Sequence, residues 1–432
     1  MTYSEALAYI HSVAWQGSRP GLERIGELCR RMGDPWRGMR FIHVAGTNGK
    51  GSFCRMLAGI LTAAGYRTGL FTSPYVLRFN ERMMIDNREI SNDELAKETE
   101  TVRAFADAMT DPPTEFELIT AIAFSYFKHQ NCDLVVLECG MGGRLDSTNV
   151  IEEPLLSMIT GIDFDHTAYL GNTVEAIATE KGGIIKPGRP CLWGGENEAA
   201  KATLAAIAKE RHSPFYTVDR SGLQVTSMTL DGTIFDFDGL TDLSLPLLGT
   251  YQPRNAASVL TAVKLLRAQG VNISEQAIRA GLASAVWHAR FELLKKNDPV
   301  ILYDGGHNPQ GVRAAVEAIR AYFPGKKVNL LSGVMADKDF DTIISTLKPI
   351  AAQVFTVTPQ NPRALAAAEY AARFAGHGIP ATASASVPEA LEHAIRQSRA
   401  EQRPLICLGS LYLYAELREA LDEYQRKAWK KP

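Results

Sequence analysis

The sequence lacks an excess of charge of either sign, a long apolar run and a paired-cysteine motif. Among its 432 residues, 46 are lysine or arginine and 48 are aspartate or glutamate, which gives a formal net charge of -2. Dedicated binders of nucleic acids or anionic membranes carry excess positive charge, so neither partner is expected. No apolar run approaches the roughly 18 residues that a membrane-spanning helix needs. Any anion-binding site must therefore be local.

The six cysteines are scattered along the chain, without a CxxC pair or a close group of cysteine and histidine ligands. Neither a zinc site nor a disulfide framework is indicated, and we expect buried free thiols. The N-terminal segment is amphipathic and carries an acid early, unlike the basic start and continuous apolar stretch of a secretion signal. We expect a cytoplasmic, monomeric protein.

The domain organisation must be inferred from alternating strand-like and helix-like segments, because the sequence has no internal repeat. In the first part of the chain this alternation predicts a mostly parallel sheet covered by helices. The predicted strands cover 40–44, 68–72, 133–138, 155–160 and 190–193, and the predicted helices cover 51–64, 91–108, 115–129, 173–180, 196–209, 252–268 and 274–285. Alternating residues and two Asp-Gly turns across 221–248 predict a small antiparallel addition.

A second series of strands and helices begins after about residue 286. Its predicted strands cover 300–304, 327–332, 353–358 and 404–408, and its predicted helices cover 309–322, 338–348, 363–375, 387–399 and 411–425. The chain is therefore predicted to be α/β, with an N-terminal P-loop-type domain over 1–286 and a C-terminal Rossmann-like domain over 287–432. A two-domain enzyme with a cleft between the domains is expected.

The clearest functional motif is Gly46-Thr-Asn-Gly-Lys50-Gly-Ser52, which lies between a predicted strand and a predicted helix. Backbone amides and the helix dipole can bind phosphates there. The motif departs from the usual phosphate-binding pattern, because Val44 takes the first glycine position and Gly51 separates the lysine from the hydroxyl. We predict that Lys50 contacts the β- and γ-phosphates and that Ser52 lies near Mg²⁺. The alternative is a glycine-rich helix start with an exposed lysine.

A second motif begins at Glu138, where an apolar strand pattern ends in an acid and a glycine loop follows. A carboxylate at the carboxyl end of a strand lies where open α/β sheets bind ligands, and beside a phosphate loop it suits Mg²⁺. A dinucleotide-binding fingerprint is the rival interpretation, but Leu145 occupies its third glycine position. The acid could also cap a surface loop.

Further polar residues follow other predicted strands. His166 is a candidate metal ligand or a structural hydrogen-bonding group, and Lys181 taken alone is typical of a solvated helix end. In the second domain, Asp304 and His307 flank a Gly-Gly turn after a strand, and Arg290 lies shortly before that strand. Together they could supply charge to ATP, although each is equally compatible with a structural role.

Set in order, these segments resemble the folylpolyglutamate synthase/dihydrofolate synthase family, within the wider group of ATP-dependent ligases that includes the muramyl-peptide ligases. The resemblance spans nearly the full length and rests on Glu138 with its glycine loop and on the segments 21–25, 46–52, 72–82, 165–167, 180–181, 251–257, 290–292, 304–310 and 409–413. It implies an ATP-binding, Mur-ligase-like first domain, a C-terminal ligase domain, and the ATP-dependent joining of L-glutamate to folates.

The resemblance also implies roles for individual residues. The implied ATP-binding residues are Thr47, Asn48, Gly49, Lys50, Gly51, Ser52, Asn255 by the adenine, Arg290, Asp304 and His307. The implied metal site uses Ser52, Ser73 and Glu138, a second metal near His166, and Lys181 carbamylated by CO₂. The implied catalytic residues are Lys50, His166, Lys181 and Arg290, and the implied substrate-binding residues are Ser73, Arg82 and Asp146. Three positions depart from the family pattern without removing a charge: Tyr251 in place of histidine, Ala289 in place of glycine, and Gly306 in place of alanine.

The family chemistry implies that ATP phosphorylates the substrate carboxylate and that the glutamate amine displaces phosphate from the acyl phosphate. We expect activity on dihydropteroate as well as on reduced folates, because Gly143-Arg-Leu-Asp146 looks like the bifunctional members. Asp146 would then accept a hydrogen bond from the pterin ring, or it could cap its own loop through the backbone of 147–149. A ligase acting on a muramyl peptide or another acid, and a P-loop regulator without ligation chemistry, remain as alternatives.

Overall fold

The computed structural model describes residues 1–12, 19–165 and 167–429. The chain divides into two compact units. Unit 1 combines Met1–Leu223 with Arg254–Ala285, and unit 2 combines Gln224–Pro253 with Val286–Pro432. Each unit contains a mainly parallel sheet and helices, which confirms the predicted α/β class. Within the described ranges, no helix has the length and apolar character needed to cross a membrane.

An eight-stranded sheet forms the centre of unit 1. Its strands are β1 (Arg40–Ala45), β2 (Thr68–Phe71), β3 (Met83–Ile85), β4 (Arg88–Glu89), β5 (Leu134–Glu138), β6 (Leu156–Ile159), β7 (Cys191–Trp193) and β8 (Phe215–Thr217). Their order is β4-β3-β2-β5-β1-β6-β7-β8, and only the pairs formed by β3 are antiparallel. The central strand β5 reads Leu-Val-Val-Leu-Glu and is buried throughout, as expected for a parallel strand covered on both faces.

Unit 1 also contains helices, several of which contribute side chains to two apolar clusters with the sheet. They are α1 (Tyr3–Ser12), α2 (Glu23–Arg31), α3 (Lys50–Ala63), α4 (Asn92–Ala106), α5 (Glu115–His129), α6 (Thr167–Leu170), α7 (Val174–Gly182), α8 (Glu198–Glu210), α9 (Gln252–Ala268) and α10 (Glu275–Ala283). Short 3₁₀ turns cover Phe79–Arg82 and Ser147–Val150. The long α5 begins at a reciprocal cap in which Thr114 and Glu117 each bond the other's backbone amide, which fixes where the helix starts.

Unit 2 contains two sheets. The antiparallel sheet is β9 (Gln224–Thr229), β10 (Gly232–Phe237) and β11 (Leu240–Leu245). The second sheet has the order β12-β13-β17-β14-β15-β16, with β12 (Glu292–Lys295), β13 (Ile301–Asp304), β14 (Val328–Ser332), β15 (Ala351–Thr356), β16 (Ala381–Ala383) and β17 (Leu405–Leu408). Its helices are α11 (Pro309–Tyr322), α12 (Phe340–Leu347), α13 (Ala367–Gly376), α14 (Val387–Glu401) and α15 (Leu413–Trp429). Only β12 runs antiparallel to its neighbour in this second sheet.

The antiparallel addition predicted at 221–248 is present, but it groups with unit 2 and not with the first part of the chain. The physical reason is packing: Leu230 and Leu248 join the apolar cluster of unit 2. Lys296 also pairs with Asp231 at 2.6 Å. The sequence pattern predicts the antiparallel strands themselves. Which part of the protein they pack against depends on residues far away along the chain.

Candidate active site

The predicted loops of unit 1 meet at one edge of its sheet. Strands β5, β1 and β6 are parallel neighbours, with Val44 opposite Glu138 and Ala45 opposite Ile159. The segments that follow these strands therefore leave the sheet side by side, at its carboxyl edge, where open α/β sheets bind ligands.

The glycine loop from 46 to 52 connects β1 to α3 as predicted. Gly49 is the N-cap residue of α3 with a φ of 86°, a left-handed conformation that favours glycine. The loop is fastened to the segment after β6, because the Thr47 amide donates to the Gly161 carbonyl at 2.7 Å and the Thr160 hydroxyl donates to the Asn48 carbonyl at 2.7 Å. The start of α3 thus has the geometry that presents backbone amides to an anion.

Two lysine side chains converge on one carbonyl oxygen in this loop. The Gly46 oxygen accepts from Lys50 Nζ at 3.0 Å and from Lys181 Nζ at 2.9 Å. Lys181 lies in the last turn of α7 and is buried, with 4% of its surface exposed. Burial, followed by repulsion from Lys50, lowers the pKa of Lys181 to about 7. The arrangement concentrates positive charge that a bound phosphate would neutralise.

A small pocket surrounds these two amines. Its lining residues are Gly46, Thr47, Lys50, Cys139, Gly140, Met141, Gly142, Asp165 and Lys181. The lining comes from three loops that follow adjacent strands, together with the end of α7. Burial raises the pKa of the Cys139 thiol well above its ordinary value, so this sulfur is a neutral wall of the pocket and not a thiolate nucleophile.

The predicted metal-binding side chains lie at this edge without forming a complete protein cage. The buried Glu138 ends β5, and its Oε2 accepts from the Ser73 amide at 3.3 Å. Ser52 is buried in the first turn of α3. Among the described residues, no group of three or more histidine, cysteine, aspartate or glutamate side chains could hold a metal ion. One carboxylate with hydroxyls fits Mg²⁺, which usually takes its remaining ligands from substrate phosphates and water.

Asp146 shapes the loop that follows Glu138. Its Oδ2 accepts from the Met141 amide at 2.8 Å, and its Oδ1 accepts from the Thr148 amide at 3.0 Å and the Thr148 hydroxyl at 2.5 Å. Asp146 is also the N-cap residue of the turn Ser147–Val150. These contacts are the loop-capping interactions that the sequence offered as an alternative role. Because both oxygens are engaged in the loop, we favour the capping role, and a bond from Asp146 to a pterin ring stays as the untested alternative.

Three other predicted residues of unit 1 have different settings. Asn255 lies in the first turn of α9, where its side chain faces Gly49 of the phosphate loop closely enough that a Cβ on that glycine would lie 3.1 Å from Asn255 Oδ1. Arg82 ends the turn Phe79–Arg82, and its guanidinium lies 5.2 Å from the ring centre of Tyr75. His166 falls outside the described residues.

In unit 2, Asp304 ends β13 and is buried. Its Oδ1 accepts from the Gly306 amide at 2.8 Å, and its Oδ2 accepts from the Phe291 amide at 2.9 Å and from the Tyr251 hydroxyl at 3.2 Å. Burial raises the pKa of Asp304, although Arg290 and these hydrogen bonds oppose the shift. The tyrosine at 251, a departure from the family pattern, is therefore a partner of this carboxylate.

His307 follows in the same loop, and its Nδ1 donates to the Gly305 carbonyl at 2.8 Å. Arg290 lies just before β12, between two residues with positive φ. The loops after β13 and before β12 are thus joined by direct hydrogen bonds. They bring the segments that carry Arg290, Asp304 and His307 together within unit 2, and the binding of ATP by these residues stays a prediction.

Two features of the site were missed by sequence reasoning. The Gly46 carbonyl is the shared acceptor of both lysines, and no side-chain pattern marks a backbone oxygen. Glu81 accepts from the amides of the three residues 76–78 at 2.8 to 2.9 Å and so holds the loop after β2. The only available signal for Glu81 was its position in the segment 72–82 that carries the family resemblance.

Comparison with known protein families matches two domains in succession along the chain. The Mur ligase middle domain matches residues 44–263, and the Mur ligase glutamate ligase domain matches residues 289–411. Folylpolyglutamate synthase of Lacticaseibacillus casei is 37% identical, over 98% of this chain and 99% of that protein. Dihydrofolate synthase/folylpolyglutamate synthase of Bacillus subtilis is 34% identical, over 97% and 99%.

Solved structures of folylpolyglutamate synthases have the same fold as this chain. Folylpolyglutamate synthase of Thermotoga maritima has a TM-score of 0.85 at 34% identity, covering 97% of this chain and 96% of that one. Escherichia coli FolC in complex with DHPP and ADP has a TM-score of 0.86 at 30% identity, covering 98% and 99%. The chain belongs to the folylpolyglutamate synthase/dihydrofolate synthase family of Mur ligases, which confirms the resemblance read from the sequence.

Proposed function

We propose that this protein is an ADP-forming ligase that joins L-glutamate to reduced folates. The observation that carries the proposal is the convergence of Lys50 and Lys181 on the Gly46 carbonyl, at the N-terminus of α3. The Lys50 amine beside the backbone amides at the start of α3 suits a polyphosphate better than a neutral ligand. We infer the two substrates, a folate acid and the amine of glutamate, from the names of the relatives.

The reaction needs an activated acid, because a carboxylate is a poor electrophile. Transfer of the γ-phosphoryl group of ATP to the folate carboxylate gives an acyl phosphate and ADP. Attack by the glutamate amine then forms the amide and expels phosphate. Lys50 and Arg290 would offset charge on the transferring phosphoryl group, where a preorganised cation contributes most.

The metal and the modified lysine belong to the same proposal. Mg²⁺, when bound, would neutralise phosphate charge. Glu138 would bind it through a carboxylate, and Ser52 and Ser73 through hydroxyls. Lys181 would react with CO₂ through its neutral amine, which a pKa of about 7 makes abundant at physiological pH. The amine nitrogen would bond to the carbon of CO₂ and release a proton to water, giving a carbamate. Its negative charge would replace the repulsion between Lys181 and Lys50 by attraction.

The substrate range is expected to include dihydropteroate. The relatives from Bacillus subtilis and Escherichia coli carry both activities in their names, whereas the Lacticaseibacillus casei relative carries only one. The loop from Gly143 to Asp146 is the feature on which this expectation rests. A further proposal is that Ser73 and Arg82, which lie at the two ends of the loop after β2, contact the folate substrate.

The experiment is ADP release with a panel of acids, each with and without L-glutamate. The panel contains tetrahydrofolate, dihydropteroate, a muramyl-peptide acid and a simple pterin-free carboxylate. We expect ADP release that requires both L-glutamate and a pterin-containing acid. ADP release with the muramyl-peptide acid, and with no other acid of the panel, would identify a different ligase. ADP release that needs neither an acid nor L-glutamate would indicate a nucleotide-binding regulator.

A further inference from the structure

Arg290 lies in an unusual stretch of backbone. Its neighbours Ala289 and Phe291 have φ values of 56° and 47°, and neither is glycine. Residues with a side chain rarely adopt this left-handed region, and bulky ones least of all. Both neighbours are fully buried, at 0% exposure. Such a conformation persists only where the surrounding contacts hold it in place.

Three hydrogen bonds hold this backbone from two sides. The Ala289 amide donates to Glu292 Oε2 at 2.8 Å, and the Ala289 carbonyl accepts from the Gly305 amide at 2.8 Å. On the far side of Arg290, the Phe291 amide donates to Asp304 Oδ2 at 2.9 Å. The backbone amides of the two neighbours of Arg290 are therefore bonded to two different carboxylates.

Glu292 is itself held by two other side chains. His288 Nδ1 donates to Glu292 Oε1 at 3.0 Å, and the Tyr414 hydroxyl donates to Glu292 Oε2 at 2.7 Å. Only 19% of the Glu292 side chain is exposed. Burial raises its pKa, but the hydrogen bonds from His288, Tyr414 and Ala289 outweigh burial and leave the pKa below its ordinary value. The side chain is thus a fixed carboxylate at neutral pH.

We infer that Glu292 is a positioning residue, which uses its bonds to Ala289, His288 and Tyr414 to fix the direction in which Arg290 projects. Both Glu292 oxygens are engaged by protein donors, namely His288, the Ala289 amide and Tyr414, so Glu292 acts through the arginine. The inference rests on the proposed function, because the charge-stabilising role of Arg290 belongs to that function. It goes further by giving a role to the acid two residues later.

The test is a double-mutant cycle with ADP release as the readout. Glu292→Ala should lower kcat at least tenfold, and Arg290→Ala should lower it by about 100-fold or more, as for other groups that stabilise developing charge. Because Glu292 acts through Arg290, adding Glu292→Ala to Arg290→Ala should cause no further loss. Glu292→Gln should stay within threefold of the wild type, since an amide oxygen can still accept from the Ala289 amide.

The control is Glu401→Ala in the same unit. Glu401 is also a half-buried acid, bonded to Asn329 and Arg403 at 3.2 and 2.7 Å, but it is far in sequence from the arginine loop. Its loss should lower thermal stability without changing kcat. A Glu292→Ala enzyme with unchanged kcat would overturn the inference, as would a double mutant that loses the full Glu292 factor beyond Arg290→Ala.

A crystal structure of Glu292→Ala separates this inference from the proposed function. Relaxation of Ala289 out of the left-handed region supports the positioning role even if the wild-type protein forms no ADP with any folate, which would refute only the function. An unchanged loop in that crystal overturns the positioning role, whatever the activity.

Discussion

The two units use buried charge in opposite ways. In unit 1, Lys50 and Lys181 direct two amines at one carbonyl, where a ligand can reach Lys50 through the pocket. In unit 2, Asp304 and Glu292 direct carboxylates at backbone amides, and these contacts shape the loop that carries Arg290. The charged side chains of unit 1 are therefore placed to bind a ligand, whereas those of unit 2 hold the backbone of their own loop.

The difference has energetic consequences. Removing Lys50 takes away a charge and two bonds to carbonyls of a partly exposed loop, and it also relieves repulsion on Lys181. Removing Asp304 strands amides in a buried loop, where an unsatisfied polar group costs about 1–3 kcal/mol. Substitutions in unit 1 should therefore affect chemistry first, and those in unit 2 should affect folding as well.

The largest effect is expected for Lys50→Ala. Loss of a cation on the transferring phosphoryl group should lower kcat by about 100-fold or more, while the midpoint of urea unfolding changes little. Lys201→Ala is the control, since Lys201 lies on α8 of the same unit and pairs with the exposed Glu198. Turnover near the wild-type value in Lys50→Ala would contradict the phosphate-binding role.

Carbamylation of Lys181 is the second prediction. With ¹³CO₂, a carbamate signal should appear in the carbon spectrum and vanish in Lys181→Ala, together with most of the activity. Because the pKa of Lys181 is about 7, the reactive neutral amine is abundant above pH 7 and is lost as the pH falls below it. The signal should weaken with acidification in the same range.

Two variants sharpen this test. Lys186→Ala should keep the carbamate signal, because Lys186 donates to the Asn149 carbonyl and does not line the pocket. In Lys50→Ala, removal of the neighbouring charge should raise the pKa of Lys181 and move the loss of signal to higher pH. A signal that survives in Lys181→Ala would assign the carbamate to another amine.

The same contrast explains what the sequence could and could not predict. Lys50 and Glu138 follow strong strand patterns, and parallel topology alone brings strand ends together. Lys181 gave no signal of its own, because its burial depends on the packing of α7 against distant strands. The short strands β3, β4, β8, β12 and β16 were missed, since two to four residues are too few to show a period. Ala289 attracted notice only as a departure from glycine, and its positive φ gives the physical reason.

Asp304→Ala should show the behaviour expected of unit 2. Three donors lose their acceptor in a buried loop, so the free energy of unfolding should fall by about 2–3 kcal/mol in urea titrations. Asp304→Asn should recover part of this loss, because an amide oxygen still accepts from one set of donors. Equal stability of Asp304→Ala and the wild type would show that the contrast between the two units is wrong.

Asp146 gives the smallest and most discriminating effect, because it is an acid of unit 1 that behaves like those of unit 2. Both its oxygens accept from loop atoms, so Asp146→Ala should cost about 1–3 kcal/mol in stability and lower activity on tetrahydrofolate and dihydropteroate by the same factor. The measurement is kcat/KM for both acids under conditions where the variant is fully folded. Thr148→Val is the matched control, since it removes one donor to Asp146 Oδ1 and leaves the carboxylate in place. If Asp146→Ala lost activity on dihydropteroate but not on tetrahydrofolate, and Thr148→Val lost neither, the carboxylate would instead bind the pterin ring. Asp146 would then contact a ligand, as proposed for Lys50 in the same unit.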